Sequence, residues 1–383
     1  MQHKIVSYSL WIVLAVTFGI LIGYGTIKSD EIAYGQLWAR AQGLISESVE
    51  QPKKIIEVVR DIPRQEEQET KENALRIGFV GDIMPGIGAS RDIFRDATTY
   101  TKIPDLMIAN FEGAIFDDAY FKCKDTDTKC YAFNGDTNFL GLLAAASFDV
   151  LNIANNHFND SGEGGQIKTL EEPKNAGMTP VGVKNEITYV EKNNFTIGFV
   201  GFSSYKWTTD INSSKTVQNL VSEAKTNSDI VIVLFHGGAE GVAHAHVPIE
   251  TEYYLGENRG DLRKFGRQAI DAGADLILGS GPHVLRGMEW YNGKLIAYSL
   301  GNFASANRVL TTGLLKTSAL LEVTLEKNGS FISGQVTPFE IDTYGIPHFD
   351  TAGTAVSVVN ELSQSDFGEQ GVVLDIDGKI KVK

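Results

Sequence analysis

Seven short apolar runs recur along this chain, and each ends in a polar or glycine-rich step. They are residues 76–80 (RIGFV), 105–109 (DLMIA), 149–154 (DVLNIA), 196–202 (TIGFVGF), 229–235 (DIVIVLF), 275–278 (DLIL) and 294–300 (KLIAYSL). Continuous apolar runs this short suit strands buried on both faces. Helical patterns lie between them, for example over residues 165–176 and 261–272. This alternation predicts an α/β class of packed sheet and helix layers. Beyond Ser318 the pattern changes to alternation around Asn328-Gly329, a hairpin signal. Residues 372–382 read as further strand. With 43% hydrophobic and 10% aromatic residues, the chain has the material for a large core and is not of the disordered class.

The polar residues fall in a pattern of their own. Asp82, Glu112, Asn156 with His157, His236 and His283 each follow on or near the end of an apolar run. In open α/β sheets, ligands bind beyond the carboxyl ends of the strands. Carboxylates, an amide and imidazoles gathered at one edge form a metal-ligand set of oxygen and nitrogen. Each residue alone has a plainer reading, as a turn, a helix cap or a core histidine. The repetition across five strand ends favours a site. Of the seven histidines, His3 and His348 lie elsewhere, while His157, His236, His244, His246 and His283 fall in or near these segments.

Six motifs follow in order: GDIM (81–84), NFEG (110–113), ANNHFNDSG (154–162), HGGAE (236–240), GADLILGSGPHV (273–284) and YNGKLIAYSLGNF (291–303). This series resembles the bacterial capsule-synthesis CapA family over roughly residues 76–303. HVP (246–248) and GENRGD (256–261) look like one branch of it. The resemblance implies a four-layer α/β/β/α metallophosphoesterase-like sandwich and a role in poly-γ-glutamate capsule production. It also implies a two-metal centre. Asp82 and His283 would bind one ion, Asn156 and His236 the other, and Glu112 would bridge. His157 would be the general acid, oriented by Asp160. The ions would be Mn, Fe or Zn, one or two in number.

Two positions depart from that pattern. Met84 stands where the superfamily carries the histidine of Asp-x-His. Gly281 stands at the first histidine of Gly-His-x-His. Many relatives carry histidine at the position of Ser280 or Gly281, and this chain carries neither. His244, His246 or Glu240 could supply a substitute ligand; alternatively the histidine pair sits on a polar loop.

Residues 10–27 contain no charge over 18 positions, just enough to cross a bilayer core as a helix. His3 and Lys4 precede the run, while Lys28, Asp30 and Glu31 follow it, so the positive bias predicts a cytoplasmic N-terminus with the rest outside. A cleaved signal peptide would need a small-residue site, and none follows Ile27. The expected organisation is an anchor over 1–28, a helical and charged stalk over 29–74, the main domain over 75–345, and a packed C-terminal extension over 346–383. Cys123 and Cys130 lie in a polar loop. A disulfide closing it suits an extracytoplasmic domain, and two free thiols are the alternative.

The net charge of −14 argues against nucleic acid as a partner. The resemblance implies an anionic polymer, or the membrane synthase complex that makes it, as the expected partner. Three functions fit these observations. One is a membrane-anchored component of anionic-polymer synthesis with a metal-dependent site. The second is a non-catalytic scaffold or polymer-binding subunit with a degenerate site. The third is an extracytoplasmic metal-dependent phosphodiesterase.

Overall fold

The computed structural model describes residues 73–382, except 89–91, 117–121, 124–129 and 307–311. They belong to one compact unit, Thr70–Lys383. The anchor run and residues 29–72 of the expected stalk lie outside the described residues, and Ala74, expected as the end of the stalk, already opens the first strand. Among the described residues, no helix is long and apolar enough to cross a membrane.

The chain builds two sheets in turn. It first lays down β1 (Ala74–Met84), β2 (Leu106–Phe111), β3 (Val150–Asn152) and β4 (Thr179–Val181). It then forms the second sheet from β5 (Thr188–Lys192), β6 (Phe195–Ser203), β7 (Ile230–His236), β8 (Leu276–Ser280), β9 (Met288–Tyr291) and β10 (Lys294–Ala297). It returns to the first sheet with β11 (Asn302–Ser305), β12 (Thr317–Glu326), β13 (Phe331–Ile341) and β14 (Pro347–Phe349). The first sheet runs β14-β13-β12-β1-β2-β3-β4, with β11 beside the end of β1. The second runs β9-β10-β8-β7-β6-β5, with Thr209–Asp210 beside β6. The expected hairpin is the antiparallel β12–β13 pair.

Alternating side chains divide each strand between two cores, which is why the strands read as continuous apolar runs. Ile77 and Phe79 of β1 share one core with Ile230, Ile232 and Leu234 of β7, between the sheets. The outer face of the first sheet, with Met107 and Ala109, is covered by Phe139, Leu140 and Leu143 of α1 (Thr137–Ala145). Helix α2 (Gly162–Asn175) follows β3 on the same side, with Leu170 packed on that core. The outer face of the second sheet, with Val231 and Val233, is covered by α3 (Ser214–Asn227) and α4 (Leu262–Asp271) through Val217, Val221, Phe265 and Ala269. The layers therefore run helix, sheet, sheet, helix. Each fully buried Leu, Ile or Phe contributes roughly 1.5–3 kcal/mol of transfer free energy. Helices start where polar caps satisfy the first turn: Asp136 accepts from Phe139 N, and Asp261 accepts from Lys264 N.

The C-terminal residues join the same body. β14 pairs with β13, and Ala355, Val356 and Val359 of α5 (Thr354–Phe367) enter the core between the sheets. Residues 372–382 are not one strand. Val373–Leu374 pairs with Ile380–Lys381 as a separate two-stranded piece.

Candidate metal centre

Both sheets deliver polar residues from the carboxyl ends of their strands. β1 extends past the apolar run because its polar end is still paired. Asp82 N donates to Gly301 O at 2.9 Å, and Asp82 lies in register with Asn302 of β11. The register shifts beside Asp82, a bulge of the kind that re-aims a side chain. Glu112 directly follows β2, and its amide donates to Ile83 O at 2.9 Å. Asn156 and His157 follow β3, His236 ends β7, and His283 lies three residues beyond β8. His283 has a φ of +59°, a left-handed backbone uncommon for a residue with a β-carbon.

Glu112 lies among three imidazoles. Its Oε1 is 3.6 Å from His283 Nε2, 3.7 Å from His157 Nε2 and 3.8 Å from His236 Nε2. Asp82 Oδ2 is 3.0 Å from His283 Nδ1, and Asp82 Oδ1 is 3.8 Å from His236 Nδ1. One ligand atom each from Asp82, Glu112 and His283 lies within 4.8 Å of the others. His157 Nδ1 meets Asp160 Oδ2 at 2.6 Å.

A set of amides holds these groups in place, and the motif reading passed over them. Asn110 Nδ2 donates to Asp82 Oδ1 at 2.8 Å and lies 3.2 Å from His236 Nδ1. Asn110 Oδ1 accepts from Asn152 Nδ2 at 2.9 Å. Asn155 Nδ2 donates to Phe111 O, and its Oδ1 accepts from His157 N at 3.0 Å. Asn302 Oδ1 lies 2.9 Å from His283 Nδ1. Asn110, Asn155 and Asn302 stand in the motifs and Asn152 in the apolar run before one, but nothing local in the sequence marks these contacts.

Burial sets the charge states. It drives Glu112 well above the usual carboxylate range, and the negative charges of Asp82, Glu240 and Asp160 add to this against the opposing His283. Burial lowers His236 to about 3, so its imidazole is neutral at pH 7. Burial also lowers His157, against the opposing pull of Asp160. Burial would lower His283 too, but the Glu112 charge and the Asp82 contact outweigh it and push it up to about 10.

A divalent ion fits what these residues leave unsatisfied. Glu112 Oε1 and Oε2, Asn156 Oδ1 and His236 Nε2 are buried and make no hydrogen bond, and Asp82 Oδ2 beside them meets His283 Nδ1. Leaving a buried polar group unsatisfied costs about 1–3 kcal/mol, more for a charged one. Oxygen and imidazole donors suit Mn, Fe or Zn. The His236 tautomer that donates from Nδ1 to Ser280 Oγ, 3.3 Å away, leaves Nε2 free to ligate.

The substitute ligands divide. His246 is exposed and pairs with Asp366 at 2.7 Å. His244 packs edge-on against Tyr254, with ring centroids 6.2 Å apart, and its backbone carbonyl holds Arg286. Neither has a contact with the centre. Glu240 does approach it. Its Oε2 is 3.9 Å from His283 Nε2, while Oε1 accepts from Arg259 Nη1 at 2.9 Å. Arg259, from the GENRGD motif, is buried between the rings of Tyr205 and Tyr254, 5.4 Å from each centroid. Cys123 and Cys130 are joined by a disulfide bond.

The family model for the bacterial capsule synthesis protein PGA_cap matches residues 76–307. The chain belongs to that family. It is 30% identical over 345 residues to the PGA biosynthesis protein CapA of Bacillus subtilis, spanning 82% of this chain and 85% of that protein. It is 27% identical over 339 residues to the capsule biosynthesis protein CapA of Bacillus anthracis, spanning 81% and 77%. A probable polyglutamine synthesis accessory protein of Mycobacterium tuberculosis is 26% identical over 270 residues, spanning 62% and 66%. Among solved structures, the 5′-nucleotidase precursor of Thermus thermophilus is similar with a TM-score of 0.41 and 15% identity, spanning 76% of this chain and 59% of that one.

Proposed function

We propose that this chain is an accessory protein of polyglutamate-type capsule synthesis whose strand-end centre binds divalent metal and acts on a phosphoryl group. The family membership supports the pathway. The convergence of buried, unpartnered ligand atoms from Glu112, Asn156 and His236 beside the Asp82 carboxylate supports the metal. In this reading Asp82 and His283 would hold one ion, Asn156 and His236 would hold a second, and Glu112 would serve as a shared ligand. The bound ions would polarise a phosphoryl oxygen and lower the pKa of a coordinated water. The chain itself supplies orientation and proton handling. Asn110 and Asn302 fix Asp82 and His283. Asp160 takes the Nδ1–H of His157, which leaves Nε2 on the Glu112 side of the centre, placed to move a proton at the leaving oxygen.

The run of residues 10–27 would anchor the chain in the cell membrane with the domain outside, near a polymer synthase. A surface of net charge −14 would repel an anionic polymer except at a metal-bearing edge. A second reading keeps the metal-binding fold without turnover, as a polymer-binding or scaffold subunit. Met84 and Gly281 favour it, since each replaces an imidazole of the full ligand set.

Metal content together with hydrolysis of bis-p-nitrophenyl phosphate tests the proposal, with wild type and Asp82→Asn compared in manganese. Metal and turnover that both fall in the variant support the enzyme. Metal without turnover supports the binding subunit. Neither metal nor turnover in wild type overturns both.

A further inference from the structure

We propose that the Cys123–Cys130 disulfide is what holds Lys122 on Asp160, and that Lys122 and Phe133 are positioning residues for His157. Asp160 is buried, and three groups among the described residues meet its carboxylate. His157 Nδ1 and Phe133 N lie 2.6 and 2.8 Å from Oδ2, and Lys122 Nζ lies 3.0 Å from Oδ1. Two of these partners are shoulders of one disulfide loop. Lys122 immediately precedes Cys123, and Phe133 stands three residues after Cys130. The Phe133 ring also packs on the His157 ring, with centroids 4.3 Å apart.

The two shoulders are held differently. The Phe133 side is fixed by main chain: Ala114 N donates to Phe133 O at 2.9 Å, and Asn134–Gly135 pairs with Ala114–Ile115. The Lys122 side has the disulfide. Between the cysteines the sequence reads KDTDTK. Opening the bridge removes the covalent tie beside Lys122 and leaves the main-chain pairing around Phe133 in place. Asp160 would then lose the Lys122 ammonium, and a buried carboxylate with fewer donors holds its imidazole less rigidly. His157 is thus fully positioned only in an oxidising compartment, where the bridge persists. This rests on the reading of His157 as a proton-transfer group, and the test separates the two.

The full-length chain in detergent, labelled with ¹⁵N-histidine, gives the readout through the Nδ1–H resonance of His157, assigned by its loss in His157→Gln. The expected result is a sharp, exchange-protected signal in the oxidised chain. It broadens or moves on reduction with a phosphine, in Cys123→Ser/Cys130→Ser and in Lys122→Ala, and is restored in Lys122→Arg. An unchanged signal after reduction and in Lys122→Ala overturns the proposal. Reduction is applied to folded protein, so a serine variant that fails to fold does not prevent that decision. Bis-p-nitrophenyl phosphate supplies the second arm. Where turnover exists, Lys122→Ala lowers kcat by about tenfold or more with KM held, short of the loss expected on removing a general acid. A resonance that follows the bridge in a chain without turnover keeps the positioning and removes the catalytic reading.

Discussion

Gly281 lies so close to Gly237 that a β-carbon on it would sit 2.7 Å from the Gly237 carbonyl oxygen and 2.8 Å from its amide nitrogen. Its φ of +116° is a second obstacle to any side chain. An imidazole at position 281 is therefore excluded by the local backbone, which packs the loop after β8 onto the loop after β7. Gly281→His is expected to destabilise the chain by more than about 2 kcal/mol without raising its metal content. Denaturant unfolding and elemental analysis check the two halves of that statement. A stable variant with extra metal would show that the backbone can adapt.

Asn110 joins the two sheets at the centre, with Asp82 on one side and His236 on the other. Replacing it with Ala leaves the carboxylate without its amide donor. Metal affinity should fall about 10–100-fold, as for other outer-shell partners of a metal site. Isothermal titration of the metal-stripped chain measures it. An unchanged affinity would remove Asn110 from the metal-supporting network.

Metal uptake should rise with pH. Burial and the neighbouring carboxylates raise Glu112, while the surrounding carboxylates overcome burial to push His283 up to about 10. The metal-free site thus carries protons near pH 7 that an ion must displace. For each proton displaced, affinity increases by up to about tenfold per pH unit as pH rises toward the pKa of His283. Without metal the linkage has the opposite sign. A raised His283 stabilises the fold below its unfolded value near 6.5, and that contribution is lost as pH rises through about 10. Titrations at pH 6.5 and 8.5, in buffers of different ionisation enthalpy, report affinity and proton release together. Equal affinities with no proton release would contradict these charge states.

His157→Ala should leave metal content intact and lower any phosphodiester turnover by about 10²–10⁴-fold. Steady-state kinetics on bis-p-nitrophenyl phosphate, with elemental analysis of the same sample, decide it. Unchanged turnover would exclude His157 from proton transfer.

Both sheets are legible in the sequence because strands buried on two faces leave continuous apolar runs. The ends of the strands are less legible. Asp82 and His236 lie inside β1 and β7, since their main chains keep pairing where the side chains turn polar. The strand-end residues are marked by their chemistry, but the amides that hold them are not. Asn110 meets Asp82 and His236 across 28 and 126 residues of chain, a contact that no local pattern encodes. The same holds for Gly281, whose glycine is visible in the motif whereas the reason for it lies in the backbone of Gly237. His244 and His246 read as substitute ligands by residue type alone, yet their partners are Tyr254 and Asp366.

The central claim is that the buried carboxylates, amide and imidazoles at the strand ends hold a divalent ion. Elemental analysis of the full chain, loaded with manganese or zinc and desalted beside Glu112→Gln, tests it most directly. The account predicts at least about one ion per wild-type chain and a clear loss in the variant. Less than about one-tenth of an ion per wild-type chain would contradict it.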